Sequence, residues 1–164
     1  MTDTDRKKIK DQQAGEFVTT AGIVDAAGEV TKIHSRLLNW ARSGSENAAT
    51  NIAEAPGGCI KRLSKIKSIT VVPLESVSND TTNYDKIYVY KYNSTGGSKT
   101  LIGSWNTHTS AQSAMTAFAK HTLSLVSSAC ASVAADSPIT YHVGKSGSGQ
   151  ALTMFSVTVD GEEI

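Results

Sequence analysis

The alternation of apolar and polar residues in the middle of the chain predicts a β-hairpin. Across residues 84–92, Ile87 and Val89 share one face of an extended chain, because successive side chains of a strand point to opposite faces. The Asn-, Ser- and Gly-rich segment 93–98 then predicts the hairpin loop, and residues 100–105 predict the returning strand. The opposite face of the first strand is aromatic and carries Tyr88, Tyr90 and Tyr92.

Strand-like composition recurs in other parts of the chain. Residues 17–24 and 65–73 are rich in β-branched and other apolar residues, which predicts further strands there. Residues 139–143 and 151–159 predict a second hairpin around the glycine-rich segment 144–149. We therefore expect a sheet that is mainly antiparallel and built from hairpins.

Two other segments have helical spacing. Residues from about 110 to 135 predict one long helix, because apolar residues recur there at steps of three to four. Thr109 or Ser110 would cap its first turn, and Pro138 follows its end. The predicted apolar stripe comprises Ala111, Ala114, Met115, Phe118, Thr122, Leu125, Ala129 and Val133.

A second, N-terminal helical region is predicted before the turn at 56–58. Its predicted face comprises Ile33, Leu37, Trp40, Ala41 and Gly44. Helices and strands are segregated along the chain, so the expected fold class is α+β, with the long helix packed on one face of the antiparallel sheet. The length of 164 residues suits a single domain, which we expect to span residues 16–164. Residues 1–15 are expected to form an N-terminal arm that is either flexible or ordered by a partner.

Composition and charge exclude several classes of protein. The net charge of +1 argues against nucleic-acid binding by bulk electrostatics. Residues 1–67 carry 11 Lys and Arg against 8 Asp and Glu, whereas residues 68–164 carry 5 Lys and Arg against 7 Asp and Glu. The basic N-terminal segment can therefore contact the acidic C-terminal segment, within one copy or between copies. No apolar segment suits a signal peptide or a transmembrane helix, so we expect no export by a signal peptide, no membrane contact, and free thiols at Cys59 and Cys130.

Familiar catalytic and binding motifs are missing from the sequence. Gly144-Lys145-Ser146 lacks the glycine five positions earlier that a phosphate-binding loop requires, and no helix is predicted after it. The four histidines are too widely spaced to suggest a metal site, and no serine lies in a nucleophile elbow. We therefore expect no catalytic residue, no metal and no cofactor.

The remaining candidate residues are basic or aromatic and suit contacts with a partner. The basic ones fall in the arm and in the segment 61–67, where no aromatic residue is interleaved for base stacking. Tyrosine is amphipathic and enriched in protein interfaces, although plain packing on a sheet surface is the simpler alternative for the aromatic strand. The interface hypothesis comprises Arg6, Lys7, Lys8, Lys10, Lys61, Arg62, Lys65, Lys67, Tyr88, Tyr90 and Tyr92.

In overall style the chain resembles small bacteriophage virion structural proteins. The shared features are a Ser-, Thr-, Ala- and Gly-rich composition, few charges, a polar N-terminal arm and an exposed aromatic strand. The resemblance implies a non-enzymatic capsid, capsid-decoration or tail protein that is made in the host cytoplasm and works by contacts with copies of itself or with other virion proteins. The first alternative is a small regulatory module that binds a protein or nucleic acid. The second and weaker alternative is an enzyme whose site is assembled from residues that are scattered in the sequence.

Overall fold

The structure, a computed structural model, contains two antiparallel sheets that share one hydrophobic core. It describes residues 54–108, 114–148, 152 and 155–164, the backbone of four earlier strands, and the side chains of residues 37–39. The strands are β1 (Phe17–Thr19), β2 (Gly22–Val24), β3 (Val30–Thr31), β4 (His34–Arg42), β5 (Ala55–Ile60), β6 (Ser64–Pro73), β7 (Asp85–Tyr92), β8 (Lys99–Asn106), β9 (His121–Thr122), β10 (Ser124–Leu125), β11 (Ser137–Lys145) and β12 (Phe155–Glu163). A single turn of helix, α1, spans Ser127–Cys130.

The strand order is not sequential. One sheet has the order β10-β8-β7-β11-β5, and the other has the order β4-β12-β6-β9. The first three strands form a separate antiparallel sheet, β1-β2-β3, in a compact unit of its own that spans Met1–His34. Residues Ser35–Glu162 form the second compact unit, which contains the core.

Alternating side chains build the core from both sheets. In β7 the side chains of Ile87 and Val89 are buried, and in β12 those of Val157 and Val159 are buried, while the residues between them are half-exposed. This period of two is what a strand with one solvated face requires. The core also includes Ile60, Ile66, Ile69, Val71, Val77, Ile102, Trp105, Met115, Leu123, Val133, Ile139, Tyr141, Val143, Leu152 and Phe155.

The hairpin prediction for the middle of the chain is confirmed. β7 and β8 pair antiparallel, with Ile87 opposite Trp105 and Tyr88 opposite Ser104. The loop between them is closed by a hydrogen bond from the Asn93 N–H to the Ser98 carbonyl at 3.0 Å. Gly96 has φ +80°, a conformation that glycine adopts without steric cost. The prediction succeeded because all the determinants of a hairpin are local in sequence.

The long helix predicted for residues 110–135 is wrong, and with it the α+β fold class. Strands contain 60% of the described residues. From residue 114 onward, the predicted stripe becomes an isolated bridge at Met115, the short strands β9 and β10, α1, and a second bridge at Val133. Phe118, a member of the stripe, is 74% exposed, whereas Leu123, outside the stripe, is buried.

Tertiary hydrogen bonding explains this error. The N–H groups of Met115, Leu123 and Val133 donate to carbonyls of Val77, Ile69 and Ser64, respectively, instead of to a preceding helical turn. The segment is also rich in Ser and Thr, which have modest helix propensity because their hydroxyl groups compete for backbone partners. Pairing with β6 and with Val77 therefore overrides a helical spacing of apolar residues.

Two further predictions are corrected. Residues His34–Arg42, in the predicted N-terminal helical region, form β4, in which the half-buried Leu37 and Leu38 pack against the core. The predicted hairpin of 139–143 with 151–159 does not form, because β11 lies in the five-stranded sheet and β12 in the four-stranded sheet. A turn at residues 146–148 leads the chain out of β11.

Candidate functional site: a tyrosine-rich sheet face

The outer surface of the five-stranded sheet carries a cluster of aromatic and polar side chains. Strand alternation places the tyrosines of β7 on this side, and cross-strand pairing sets Tyr88 beside His142 and Tyr90 beside Thr140 of β11. Tyr92 is paired with Lys99 of β8. We call this surface the tyrosine face, defined by Glu54, Tyr88, Tyr90, Tyr92, Lys99, Thr140 and His142.

Glu54, just before β5, joins three strands at one end of the tyrosine face. Its carboxylate accepts a hydrogen bond from the Tyr92 hydroxyl at 2.9 Å and others from the Lys99 ammonium and the Thr140 hydroxyl. The Lys99 ammonium also lies 4.0 Å from the centroid of the Tyr90 ring, within the range of a cation–π contact. Residues from four separate segments therefore hold each other in one arrangement.

The ionisation of this cluster follows from the same contacts. Partial burial of Glu54 opposes its ionisation, but the hydrogen bonds from Lys99, Thr140 and Tyr92 outweigh burial and lower its pKa. The hydrogen bond to Glu54 raises the pKa of Lys99 and also that of Tyr92. Glu54 is thus a carboxylate and Lys99 an ammonium at neutral pH, and their charges compensate each other.

The other end of the tyrosine face is aromatic and uncharged at neutral pH. The His142 and Tyr88 rings stack with their centroids 6.0 Å apart and their planes 16° apart, and the Tyr88 and Tyr90 centroids are 6.1 Å apart. Burial, together with the positive charge of Lys99, lowers the pKa of His142. The three tyrosines are all half-exposed, so their rings are restrained by neighbours and remain accessible.

This arrangement is poorly suited to acid–base chemistry. A general base needs a pKa near the working pH and a free lone pair directed at the substrate, whereas the Glu54 carboxylate has a lowered pKa and is already engaged by three donors. Within the part of the chain that the structure describes, no three His, Cys, Asp or Glu side chains come together as a metal site. The tyrosine face is instead a set of half-exposed rings that are held by stacking and hydrogen bonds to their neighbours.

The structure disperses the predicted basic candidates. Lys61 forms an ion pair with Asp136 at 3.3 Å, and Lys67 forms one with Glu162 at 3.0 Å, so the basic front of the chain meets its acidic rear within one copy. Lys65 and Lys67 lie on β6, in the other sheet from the tyrosines. Arg62 lies between β5 and β6.

The arm candidates Arg6, Lys7, Lys8 and Lys10 lie outside the described residues. Their role in contacts between copies stays a prediction.

The turn at residues 146–148, after β11, has two backbone amides that already donate to the protein. The Ser146 N–H donates to the Tyr84 carbonyl at 2.8 Å, and the Ser148 N–H donates to the Asn83 side-chain oxygen at 2.8 Å. Gly147 has φ +58°, and a Cβ there would lie 2.3 Å from the same Asn83 oxygen. Phosphate binding requires amides that point at the ligand, and these two point at the protein.

Both cysteines are free thiols. Cys59 is half-buried on β5, whereas Cys130 is buried in α1 and its thiol donates to the Ile102 carbonyl at 3.3 Å. Burial raises the pKa of the Cys130 thiol, which keeps it in the unreactive protonated form.

Among the described residues, no helix is long and apolar enough to cross a membrane.

The sequence pattern aligned the three tyrosines on one face of a strand and gave no sign of the residues that contact them. The period of two along β7 was sufficient to align Tyr88, Tyr90 and Tyr92. Glu54 and His142 are separated from them by tens of residues, and only the pairing of β11 with β5 and β7 brings them together. No local pattern in the sequence signals that pairing.

Comparison with known proteins does not assign this chain to a family. No protein-family model and no curated protein matches this chain. A solved viral structure, "Structure of infectious bursal disease virus Gt strain", matches with 13% identity and a TM-score of 0.28, over 88% of this chain and 35% of that chain. This chain therefore spans about a third of the viral chain. The similarity is to a viral structure only in the coarsest sense, and it gives no support to bacteriophage in particular.

Proposed function

We propose that this chain is a non-enzymatic structural protein that assembles through contacts between copies of itself, as a capsid, capsid-decoration or tail component of a virion. The observation that carries the proposal is the tyrosine face: a half-exposed aromatic surface on a sheet, in which the charged pair is internally compensated. The virion assignment is favoured by the composition, which is poor in charge and rich in Ser, Thr, Ala and Gly.

Preorganisation is what suits this face to association. Binding normally loses free energy to the ordering of side chains at the interface. Here the Tyr92 hydroxyl is already bonded to Glu54, and the Tyr88 ring is already stacked on His142. Little further ordering is needed when a partner covers these rings, and buried tyrosines are among the residues that contribute most to interface stability.

Charge also favours a protein partner over nucleic acid. Binding to a phosphate backbone requires unpaired Lys and Arg side chains in a continuous patch. Lys61, Lys67 and Lys99 each form an ion pair with an acidic residue of the same chain. The regulatory nucleic-acid-binding alternative is therefore less well supported than assembly.

Sedimentation velocity over a range of protein concentrations tests the proposal. The wild-type chain should associate as its concentration rises, and Tyr88→Glu should weaken association at least tenfold, because it places an uncompensated charge in the contact. Thr158→Glu is the matched control, since Thr158 is a half-exposed residue of β12, on the other sheet, and should leave association unchanged.

Circular dichroism should show the same fold in both variants, and Tyr88→Ala should weaken association without introducing a charge. A wild-type chain that stays monomeric at every concentration would refute the proposal.

A further inference from the structure

A small set of hydrogen bonds closes the five-stranded sheet at the end where β7 begins. On the β8 side, the Thr107 N–H donates to the Asp85 carbonyl at 3.0 Å, and the Asp85 N–H donates to the Thr107 hydroxyl at 2.9 Å. On the β11 side, the Ser146 N–H donates to the Tyr84 carbonyl at 2.8 Å. We call this region the sheet end and define it by residues 80–85, 107 and 146–148.

Most of the sheet end lies at the surface. Residues 81–83 and 147–148 are exposed, and the bond from the Ser148 N–H to the Asn83 side-chain oxygen, at 2.8 Å, joins these two segments. Exposed segments that are held by a few hydrogen bonds are those that open locally in a native protein, at a lower free energy than global unfolding. The sheet end is therefore suited to open while the core stays folded.

The carboxyl group of Asp85 is buried behind these exposed segments. Strand alternation turns it toward the core together with Ile87, only 3% of Asp85 is exposed, and neither carboxyl oxygen has a hydrogen-bond partner among the described residues. Trp105, opposite Ile87, has an indole N–H that is also buried and without a partner, so it does not donate to Asp85. An ionised carboxylate here has neither water nor hydrogen bonds, which destabilises the closed sheet end.

Lys145 is the charged residue that bears on Asp85. It lies directly opposite Asp85 on β11 and favours the ionised carboxylate, but burial has the larger effect and raises the pKa of Asp85 to about 6. The closed sheet end therefore holds a proton that an open, hydrated Asp85 would release.

The other titratable groups near the sheet end have contacts of their own. They are Asp80, Lys86, His108 and His121. Lys86 and His108 contact the Tyr84 ring, with the Lys86 ammonium 5.0 Å from its centroid, and His121 contacts the Trp105 ring. Asp80 accepts hydrogen bonds from two backbone N–H groups of its own loop.

We propose that Asp85 is a pH-sensitive switch: the sheet end is closed while its carboxyl is protonated, and the loop 80–84 and the turn 146–148 open locally once it is ionised. Opening gives the carboxylate access to water. Ionisation therefore shifts the equilibrium toward the open form, because the open form binds the proton less tightly. The switch lies within one chain and is independent of the proposed assembly, which the sedimentation experiment tests separately.

Amide hydrogen exchange at pH 5 and pH 7.5, corrected for the intrinsic rate at each pH, measures the opening. The equilibrium constant for opening at Thr107 and Ser146 should be about tenfold larger at pH 7.5, as a pKa of 3.8 in the open form and about 6 in the closed form requires. Urea at concentrations that leave the chain folded should not change this constant, because local opening exposes little surface. The Val89 amide, in the middle of β7, should respond to urea because its exchange requires global unfolding.

Asp85→Asn should abolish the tenfold change. Asp136→Asn makes the same replacement at an exposed position and should retain it. A change with pH that persists in Asp85→Asn would overturn the inference. Exchange at Thr107 and Ser146 that depends on urea as strongly as exchange at Val89 would overturn it too, because Asp85 would then be linked to the whole fold and not to the sheet end.

Nuclear magnetic resonance of the wild-type chain tests the switch without a substitution. The carboxyl carbon of Asp85 should titrate with a midpoint near pH 6, and the amide signals of Thr107 and Ser146 should change with the same midpoint. A midpoint at the ordinary value of an aspartate would overturn the inference. So would a Trp105 indole proton that shifts over the same titration while the sheet end stays protected, because Asp85 would then be satisfied inside the core.

Discussion

Asp85 is a buried carboxyl group whose oxygens lack partners. It lies at the start of β7 with 3% of its surface exposed, and neither carboxyl oxygen has a hydrogen-bond partner among the residues described. Burial raises its pKa from 3.8 to about 6, against the opposing effect of Lys145 across the strand pair. The folded state thus binds this proton more tightly than the unfolded state does. Ionisation of Asp85 therefore destabilises the fold as pH rises from about 4 to about 6.

Asp85→Asn should remove this pH dependence. The free energy of unfolding of the wild type should fall between about pH 4 and pH 6, whereas that of Asp85→Asn should vary less over the same interval. At pH 7 the variant should be more stable by about 1–2 kcal/mol, somewhat less than the full pKa difference implies, because the buried amide still lacks partners. Urea denaturation at pH 4, 5, 6 and 7 measures both effects.

Asp136→Asn provides the comparison, because it makes the same replacement at an exposed position. A difference in the free energy of unfolding between the wild type and Asp85→Asn that stays constant from pH 4 to pH 6 would show that Asp85 is not ionising in a buried site.

At the scale of elements, Lys91 attaches the short helix α1 to the sheet. Its ammonium donates to the Ala129 carbonyl at 2.6 Å and to the Ser132 carbonyl at 2.9 Å, at the end of α1 where carbonyls lack helical partners. Lys91→Met keeps the aliphatic stem and removes both bonds, so we expect a loss of about 1–2 kcal/mol in the free energy of unfolding. Urea denaturation measures the loss. Lys120→Met, at an exposed position, should change stability by less than about 0.5 kcal/mol.

Amide hydrogen exchange assigns the effect of Lys91→Met to an element. The amides of Cys130 and Val133 should lose protection more than those of β7 do. Equal loss of protection throughout the sheet would contradict an attachment role for Lys91.

The elements differ in how far the sequence predicts them. β7 and β8 were predictable because alternation and a Gly-containing loop lie within about twenty residues. The segment from Met115 to Val133 was not, because Val77, Ile69 and Ser64 provide its backbone partners, and these lie more than thirty residues away. Apolar residues three and four apart fit a helix as well as they fit successive short strands and turns.

For the whole molecule, strand order was beyond reach of the sequence. β11 lies between β7 and β5, and β12 lies between β4 and β6, although β11 and β12 follow one another in the chain. The candidate site shares this limit, because Glu54 and His142 join the tyrosines only through that order. The predicted antiparallel pairing is confirmed, but the layer that covers the sheet is a second sheet and not a helix.

Contact between the two sheets can be tested at a single close approach. A Cβ on Gly103 of β8 would lie 2.9 Å from Cδ1 of Ile69 on β6. Gly103→Ala should therefore lower the free energy of unfolding by about 1–2 kcal/mol through overpacking, and Ile69→Val, which removes that Cδ1, should lower it by about 1 kcal/mol. In the double variant the Val side chain leaves room for the new methyl group. Its loss should be smaller than the sum of the single losses by at least about 0.5 kcal/mol.

Urea denaturation of the four chains measures this coupling. Gly97→Ala is the control, because a Cβ at Gly97 in the hairpin loop has no neighbour closer than 3.7 Å, and its effect should add to that of Ile69→Val without coupling. Additive losses for Gly103→Ala and Ile69→Val would mean that these two positions do not touch. The two sheets would then not pack face to face with β8 over β6. A single core between the two sheets requires coupling between Gly103→Ala and Ile69→Val, and no coupling between Gly97→Ala and Ile69→Val. Only direct contact across the sheets lets the methyl group removed from Ile69 make room for the methyl group added at Gly103.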